Sequence, residues 1–198
     1  PGIDPESLGV ARAERLQLDP VTMLAVGAAR EAIENSGFVP TAAGDRSRNF
    51  VLSGADSART GVYLGTGIGG AHSFLHNHAH HLHQRARAML ASYADNHASD
   101  PDHGDLNTVI ELLSHGPRYN PFVVSMLMPN APSAALGIKF TLTGPNVTYC
   151  VACASGTVAV GHGYQAVRDG LVDMAVTGGS EYLYDEHGHI FHGFDIAG

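Results

Sequence analysis

The sequence is short of cysteine, of basic residues and of long apolar runs, and each shortage excludes a class of protein. Two cysteines in 198 residues are too few for the disulfide framework of a small secreted domain. Lysine and arginine total 11 against 19 acidic residues, and the net charge of −8 argues against nucleic acid or an anionic membrane as a partner. No apolar run approaches the roughly 20 residues that cross a bilayer.

The N-terminus also lacks the marks of a secretion signal. Residues 1–6 contain neither a basic start nor an apolar core, so we expect a cytoplasmic protein. Apolar residues make up 44% of the chain, which is enough for a sizeable core. A length of 198 residues suits one domain or part of a larger one.

Helical and strand patterns alternate along the chain and predict an α/β fold. The apolar spacing in residues 16–36 predicts a helix that stops at Gly37. Further on, the patterns predict buried strands and a second helix, with the strands at 61–65, 146–150 and 174–177 and the helix at 156–169. A strand, a helix and a strand joined by short turns imply parallel pairing. We expect the polar stretches 41–49 and 99–104 to be exposed linkers.

Cys153 is the strongest candidate for chemistry. It lies between small residues, at the end of an apolar run and at the start of a helical pattern. Aligned amides at a helix N-terminus stabilise a thiolate, and small neighbours leave room for a bulky acyl group. The cysteine's own N–H can face a developing oxyanion. The pattern therefore predicts a nucleophile, against the alternative of a buried inert cysteine.

Five motifs, in order, resemble those of one enzyme family. They are GVYLGTG at 61–67, PFVV at 121–124, LTGPN at 142–146, ACASG at 152–156 and DMAVTGGSE at 173–181. On these motifs residues 59–198 resemble the N-terminal half of a β-ketoacyl-acyl-carrier-protein synthase, a condensing enzyme of the thiolase superfamily. The resemblance implies an incomplete thiolase-like α/β fold over residues 1–198, with βαβ units and a central mixed sheet between helices.

The resemblance also implies a reaction. The Cys153 thiolate would attack the thioester of an acyl-carrier protein or of coenzyme A and form an acyl-cysteine. Malonyl-acyl-carrier protein would then lose CO2, and its carbanion would attack the acyl group to give a β-ketoacyl thioester in fatty-acid or polyketide synthesis. The implied partners are acyl-carrier protein, its acyl and malonyl thioesters and a second copy of the chain. No cofactor or metal is implied.

Several family motifs are missing from the sequence. The family's two catalytic histidines lie in His-Gly-Thr and Gly-His motifs, and a Gly-Phe-Gly-Gly loop completes its oxyanion hole. His162 follows a glycine but lies inside the predicted helix after Cys153, and His192 begins His-Gly-Phe. The family's first strand is also missing before residues 16–36. We therefore expect a fragment of a longer enzyme; the alternative is a non-catalytic relative that acts as a scaffold or dimer partner.

The resemblance assigns further residues to the acyl pocket. Residues 125–129 resemble its dimer-facing wall, which makes Met126 and Met128 candidates because flexible methionines suit chains of several lengths. They would suit an ordinary core equally well. Residues 181–191 resemble the elongating type that handles unsaturated chains, in which a phenylalanine lines the site. Phe191 is that candidate, although a core role would explain either it or the nearby Phe194.

The family also pairs the strand before its nucleophile with a second copy across a twofold axis. That strand is 146–150 here, and its Val147, Thr148 and Tyr149 all favour β-structure. An open strand edge invites association, and a closed twofold pairing satisfies it without building a filament. We expect a homodimer with this strand at its centre.

Two short motifs allow other interpretations. Residues 65–70 match the dinucleotide fingerprint G-x-G-x-x-G, but the acidic residue expected roughly 20 positions later is lacking. We expect these glycines to let the backbone turn beside an acyl pocket. Cys150 and Cys153 form a C-x-x-C, which can be redox-active or half of a zinc site. No partner motif lies at zinc-finger spacing, so we expect Cys150 to be a small packing residue.

Histidines are concentrated in one stretch of the chain, at His72, His76, His78, His80, His81 and His83. On a helix, His72, His76 and His80 would share one face and could bind zinc, copper or nickel. The stretch contains no carboxylate or cysteine to complete such a site. We therefore expect a solvated surface helix within a variable insert at residues 71–120.

Overall fold

The computed structural model of the chain describes residues 3–45, 47–97, 103–114, 119–184 and 188–196. Helices and strands alternate within these residues, as the sequence pattern predicts. In chain order they are α1 (Pro20–Asn35), β1 (Pro40–Ala42), β2 (Phe50–Leu52), β3 (Thr60–Gly65), α2 (Ala71–Asn96), α3 (His103–Ser114), α4 (Val123–Leu127), α5 (Ala131–Lys139), β4 (Asn146–Tyr149), α6 (Ser155–Arg168), β5 (Met174–Gly179) and α7 (His189–Ile196).

The main sheet has β3 at its centre, with β4 on one side and β5 on the other. Both pairs are parallel, and Leu64 of β3 lies opposite Thr148 and Gly178. All six residues of β3 are buried, as is typical of the middle strand of a parallel sheet. The three predicted strands are confirmed, but β4 and β5 pair with β3 and not with each other. Among the described strands the sheet is parallel, where the family resemblance predicted a mixed sheet.

Helices cover both faces of this sheet, and alternate residues of β3 contact them. Val62 and Leu64 belong to the large core that contains α1 residues and Phe140, whereas Tyr63 packs with Ala166 and Val172 on the opposite face. This alternation follows from the two-residue period of a strand. The sheet therefore holds α1 and α5 on one side and α6 on the other.

Asp19 fixes where α1 begins. Its carboxylate is fully buried, and one oxygen accepts a hydrogen bond from the Val21 N–H at 2.9 Å. The other oxygen accepts from the Ser73 N–H in the first turn of α2, also at 2.9 Å. The apolar spacing predicted a start at residue 16, four residues too early, because an N-cap Asp followed by Pro20 outweighs that spacing.

A β-hairpin lies where the sequence predicted an exposed linker. Strands β1 and β2 pair antiparallel, so the ends of the stretch 41–49 belong to or adjoin strands. Thr41 and Ala42 of β1 are exposed, so this stretch shows no apolar pattern from which a strand could be predicted. Of the second predicted linker, 99–104, the described residues are His103 and Gly104, which begin α3.

Helix α2 extends away from the sheet for 26 residues and buries few of them, namely Ser73, Asn77 and Ala94. Its main contacts with other helices are with α3 and α4, while its first turn also meets Asp19. The prediction that this histidine-rich stretch forms a largely solvated helix is confirmed. In the described part of the chain, no helix combines the length and the apolar character needed to cross a membrane.

The buried position of Asp19 gives a first prediction. Asp19→Ala removes the cap of α1 and leaves the buried Ser73 N–H without an acceptor, so the free energy of unfolding should fall by about 2–4 kcal/mol. Asp19→Asn retains one acceptor and should lose less. Urea unfolding followed by circular dichroism measures both, with the exposed Asp45→Ala as the control. An equal loss in Asp19→Ala and Asp45→Ala would contradict this role.

Candidate functional site

A tight turn joins β4 to α6 and carries Cys153. Residues Ala152–Ala154 form one turn of 3₁₀-helix, and α6 begins directly afterwards at Ser155. Ala152 has a φ of 49°, in the left-handed region that residues with a side chain rarely adopt. Such strained residues cluster at functional sites, where the surrounding structure holds them.

Ser155 holds this turn together. Its hydroxyl accepts a hydrogen bond from the Val151 N–H at 2.8 Å and donates one to the Ala152 carbonyl at 2.7 Å. The Ser155 side chain is buried, whereas Cys153 is exposed. The local sequence therefore places the thiol on the surface at the N-terminal end of a 14-residue helix. This is the position that the sequence predicted for Cys153.

Glycines at the strand ends allow α6 to approach the sheet backbone to backbone. A Cβ added to Gly65 would overlap the main chain of Ser155, and one added to Gly179 would lie 3.1 Å from the Cα of Gly156. Any side chain at the end of β3 would push the N-terminus of α6 outward. The glycines of the 65–70 motif thus serve close packing and turning next to Cys153.

Cys153 opens into a cleft of about 470 Å³. The cleft is bounded by the ends of β3 and β5, the turn before α6 and part of α7. Its lining residues are Gly65, Thr66, Gly67, Ile68, Ala152, Cys153, Ser155, Gly156, Gly179, Ser180, Glu181, Leu183 and Phe194. Most of this lining is apolar or backbone, which suits a hydrophobic acyl chain next to a nucleophile.

Glu181 binds the loop that follows β3. Its carboxylate accepts hydrogen bonds from the N–H groups of Gly67 and Ile68 and from the Thr66 hydroxyl, the last two at 3.2 and 3.4 Å. Thr66 in turn accepts from the Gly69 N–H at 3.1 Å. The amides that a dinucleotide loop would direct at phosphate are therefore directed at a side chain of the protein itself. The sequence motif alone did not identify Glu181 as this partner.

The three residues predicted to line the acyl pocket are Met126, Met128 and Phe191. Met126 is buried, with its sulfur 3.4 Å from the Asn120 side-chain nitrogen, and Met128 is half exposed; neither lines the Cys153 cleft in the single chain. The reason is that Gly70 packs directly against the Met126 backbone, which leaves α4 beside the start of α2. The side chain of Phe191 lies outside the described residues, whereas Phe194 lines the cleft.

The C-x-x-C pair does not form a disulfide, and both cysteines are free and exposed. The prediction that Cys150 is a packing residue is wrong for this chain, because Cys150 is exposed directly after β4 ends at Tyr149. Across the ranges that the structure describes, no group of three or more His, Cys, Asp or Glu side chains is placed to hold a metal ion.

His162 and His72, two histidines that the sequence pattern raised as candidates, pack against aromatic rings. His162 lies in α6, where its ring stacks on Tyr149 at a centroid distance of 4.8 Å. His72 stacks on His76 at 6.2 Å, meets the Tyr182 ring edge-on at 5.4 Å and lies 3.2 Å from the Tyr184 carbonyl oxygen through its Nδ1. Burial raises the pKa of the Tyr182 hydroxyl, and nearby Tyr184 and Asp19 raise it further, so the phenol stays neutral beside His72.

Comparison with known proteins agrees with this geometry. Residues 1–195 match the family model described as the N-terminal domain of β-ketoacyl synthase. The 3-oxoacyl-[acyl-carrier-protein] synthase 2 of Staphylococcus aureus is 29% identical over 173 residues, which are 87% of this chain and 32% of that protein. The corresponding Rhizobium meliloti protein is 26% identical over 169 residues, 85% of this chain and 30% of that protein. The chain thus spans about a third of the length of these relatives.

Solved ketosynthases share the fold. One solved structure is a type II polyketide synthase acyl-carrier protein in complex with its ketosynthase, which is bound to the hexaketide. It aligns with a TM-score of 0.62 and 15% identity, over 95% of this chain and 42% of its own. A β-ketoacyl synthase from Burkholderia phymatum aligns with a TM-score of 0.60 and 20% identity over 98% of this chain and 37% of its own. The predicted thiolase-like α/β fold is confirmed.

Close backbone packing at Gly65 gives the second prediction. Gly65→Ala should lower the free energy of unfolding by about 3 kcal/mol or more, because its methyl group meets the Ser155 main chain, which cannot rotate away. Gly161→Ala is the matched control within α6, where nothing lies within 4 Å of the added carbon. It should instead stabilise the protein by about 0.5–1 kcal/mol. Denaturant unfolding measures both; equal effects would contradict the proposed contact.

Proposed function

The chain belongs to the β-ketoacyl synthase family, whose N-terminal domain it matches, and we propose that it supplies the nucleophile of a condensing enzyme of fatty-acid or polyketide synthesis. The observation that carries the proposal is the position of Cys153. The thiol is exposed at the N-terminus of α6, and it faces a cleft large enough for an acyl chain. A helix N-terminus stabilises a thiolate, which is the reactive form.

The proposed first step is acyl transfer to sulfur. The Cys153 thiolate attacks the carbonyl carbon of an acyl thioester, the carbon–sulfur bond to the carrier breaks, and the carrier leaves as its thiol after taking up a proton. The N–H of Cys153 would donate to the oxyanion formed in this step. The small residues Ala152, Ala154 and Gly156 leave the carbonyl room to approach the sulfur.

The second step forms the carbon–carbon bond. A malonyl thioester loses CO2, its carbanion attacks the acyl-cysteine carbonyl, and the Cys153 thiolate leaves as the β-ketoacyl thioester forms. The family's two histidine motifs, which serve this step, are not among these 198 residues. We therefore propose the full condensation for the whole protein and the acyl-cysteine for this domain. We propose acyl-carrier protein, which forms part of the name of the S. aureus relative, as the carrier of the acyl group.

We also propose that the protein is a homodimer joined through β4. The Pro145 carbonyl just before this edge strand accepts a hydrogen bond from the Val62 N–H of β3, and the Tyr149 carbonyl accepts one from the Thr66 N–H just after β3. Odd-numbered residues therefore direct their main-chain polar groups at β3. The N–H and C=O of Thr148 consequently face the open edge, since successive residues of a strand point their polar groups to opposite sides. This open edge is where a second copy of the strand would pair.

The third prediction tests the nucleophile. Cys153 should be alkylated by iodoacetamide at least about tenfold faster than Cys150, because only Cys153 lies at a helix N-terminus while both thiols are exposed. Peptide mass spectrometry over a time course measures both rates in one sample. Cys150→Ser and Cys153→Ser variants are a matched pair that assign each adduct. Equal rates would favour the alternative of a non-catalytic scaffold.

The fourth prediction tests the dimer edge. Thr148→Pro removes an N–H that faces away from β3, so it should leave the fold intact and shift the dimer toward monomer at micromolar concentration. Thr148→Val is the control, because it keeps the N–H and loses only the hydroxyl that lies 2.6 Å from the Ser133 hydroxyl. Light scattering and circular dichroism measure mass and fold. A monomeric wild type, or a proline variant that remains dimeric, would contradict this placement.

A further inference from the structure

One charged side chain lines the cleft within the described residues, and it is Glu181. Its carboxylate accepts hydrogen bonds from three donors, namely the Gly67 and Ile68 N–H groups and the Thr66 hydroxyl. An ionised carboxylate only accepts hydrogen bonds, so three donors suit the charged form. A fixed negative charge therefore stands in the cleft.

The neighbouring residue holds this charge in place. The Ser180 N–H donates to the Gly65 carbonyl at 3.0 Å, and the Ser180 hydroxyl donates to the Val21 carbonyl at 2.7 Å. These bonds tie the chain just before Glu181 to the end of β3 and to the start of α1. The carboxylate consequently has a defined position and does not extend freely into solvent.

Glu181 and the nucleophile Cys153 line the same cleft. A Cβ built on Gly67 would lie 2.8 Å from a Glu181 carboxylate oxygen and 3.7 Å from the Ala152 carbonyl oxygen. The Glu181 carboxylate and Ala152, the residue that directly precedes Cys153, are thus both neighbours of Gly67. A reagent that reaches the Cys153 sulfur through this cleft approaches Glu181 as well.

We propose that Glu181 is a specificity-determining residue, which makes Cys153 accept uncharged acyl groups and reject those that carry a carboxylate. Two like charges in a partly enclosed cleft repel each other more strongly than in bulk water. The bonded amides and the opening to solvent keep the effect moderate, at about threefold to tenfold in relative rate. The acyl-group part of this inference rests on the proposed function.

This selectivity fits an enzyme with two kinds of thioester substrate. One carries a neutral acyl chain, which must load the cysteine, and the other carries a malonyl group with a free carboxylate, which must not. Both offer the same carbonyl chemistry to the sulfur. A negative charge at the cleft biases which group loads the cysteine, and because the effect is moderate it still lets a malonyl thioester enter for the second step.

The test compares two alkylating reagents of nearly equal size, neutral iodoacetamide and anionic iodoacetate. In a Cys150→Ser background, the rate of Cys153 labelling by each reagent gives an iodoacetate-to-iodoacetamide ratio. Glu181→Gln keeps an acceptor for the loop amides and removes the charge, so this ratio should rise about threefold to tenfold. Glu31→Gln, an exposed position on α1, removes the same net charge away from the cleft and should leave the ratio unchanged.

Wild-type protein gives a second readout that needs no variant at Glu181. Raising sodium chloride from about 20 mM to about 500 mM should raise the same ratio, because salt screens charges in an open cleft. The inference is overturned if Glu181→Gln leaves the ratio unchanged, if Glu31→Gln shifts it equally, or if salt has no effect. Circular dichroism confirms that each variant is folded.

Acyl donors then separate this inference from the proposed function. With acetyl-coenzyme A and malonyl-coenzyme A, Glu181→Gln should raise malonyl labelling of Cys153 relative to acetyl labelling by a similar factor. Absence of any acyl adduct alongside a normal alkylation ratio would refute the acyl-cysteine and leave the charge selection standing. If acyl groups are transferred to Cys153 but the malonyl-to-acetyl labelling ratio does not change in Glu181→Gln, the charge selection is refuted and the acyl-cysteine stands.

Discussion

The direct contact between the end of β3 and the N-terminus of α6 is the constraint on which the rest of the structure depends. At Gly65 the strand backbone touches the Ser155 main chain, so the helix starts immediately above the sheet. This contact forces the chain to turn sharply after β4, with Ala152 in the left-handed region and Cys153 at the outer surface of the turn. The position of the thiol is thus a consequence of glycine at two strand ends and of a serine that bonds both sides of the turn.

The loop after β3 shows how the same glycines serve a site without a nucleotide. Its N–H groups converge as they would around a phosphate, but the Glu181 carboxylate accepts their hydrogen bonds. The loop is therefore held by a side chain that lies just after the end of β5, the strand that pairs directly with β3, and this side chain also bonds the buried Thr66. A motif match alone cannot distinguish a phosphate-binding loop from this one, because the difference is which anion accepts the hydrogen bonds of the loop amides.

The sequence predicted the elements whose signals are local. The bounds of the buried strand β3 and of helix α6 were predicted to within a residue or two. Their signals lie in neighbouring residues: an apolar run for the strand, and for the helix a glycine stop at Gly170, which has a φ of 71°. The start of α1 was missed because the Asp19 cap competes with continuing apolar spacing. The hairpin of β1 and β2 was missed because each strand has only three residues, too few to show the alternation that identifies a strand.

At the site, spacing predicted Cys153 at a helix start but could not predict Glu181, whose partners are more than 110 residues away in the chain. The same limit applies to the acyl pocket. The packing of α4 and α7 sets the positions of Met126 and Phe194. The apolar pattern of a short helix does not indicate which of its sides lines a cleft. Long-range contacts therefore decide what the motifs leave open.

The central claim is that Cys153 accepts an acyl group from a thioester. The most direct measurement is peptide mapping by mass spectrometry after incubation of the protein with octanoyl-coenzyme A, with and without prior alkylation. The account predicts an octanoyl group on the peptide that contains Cys153, its removal by hydroxylamine and its absence after alkylation. An unmodified Cys153 peptide, or an adduct on Cys150 instead, would contradict it.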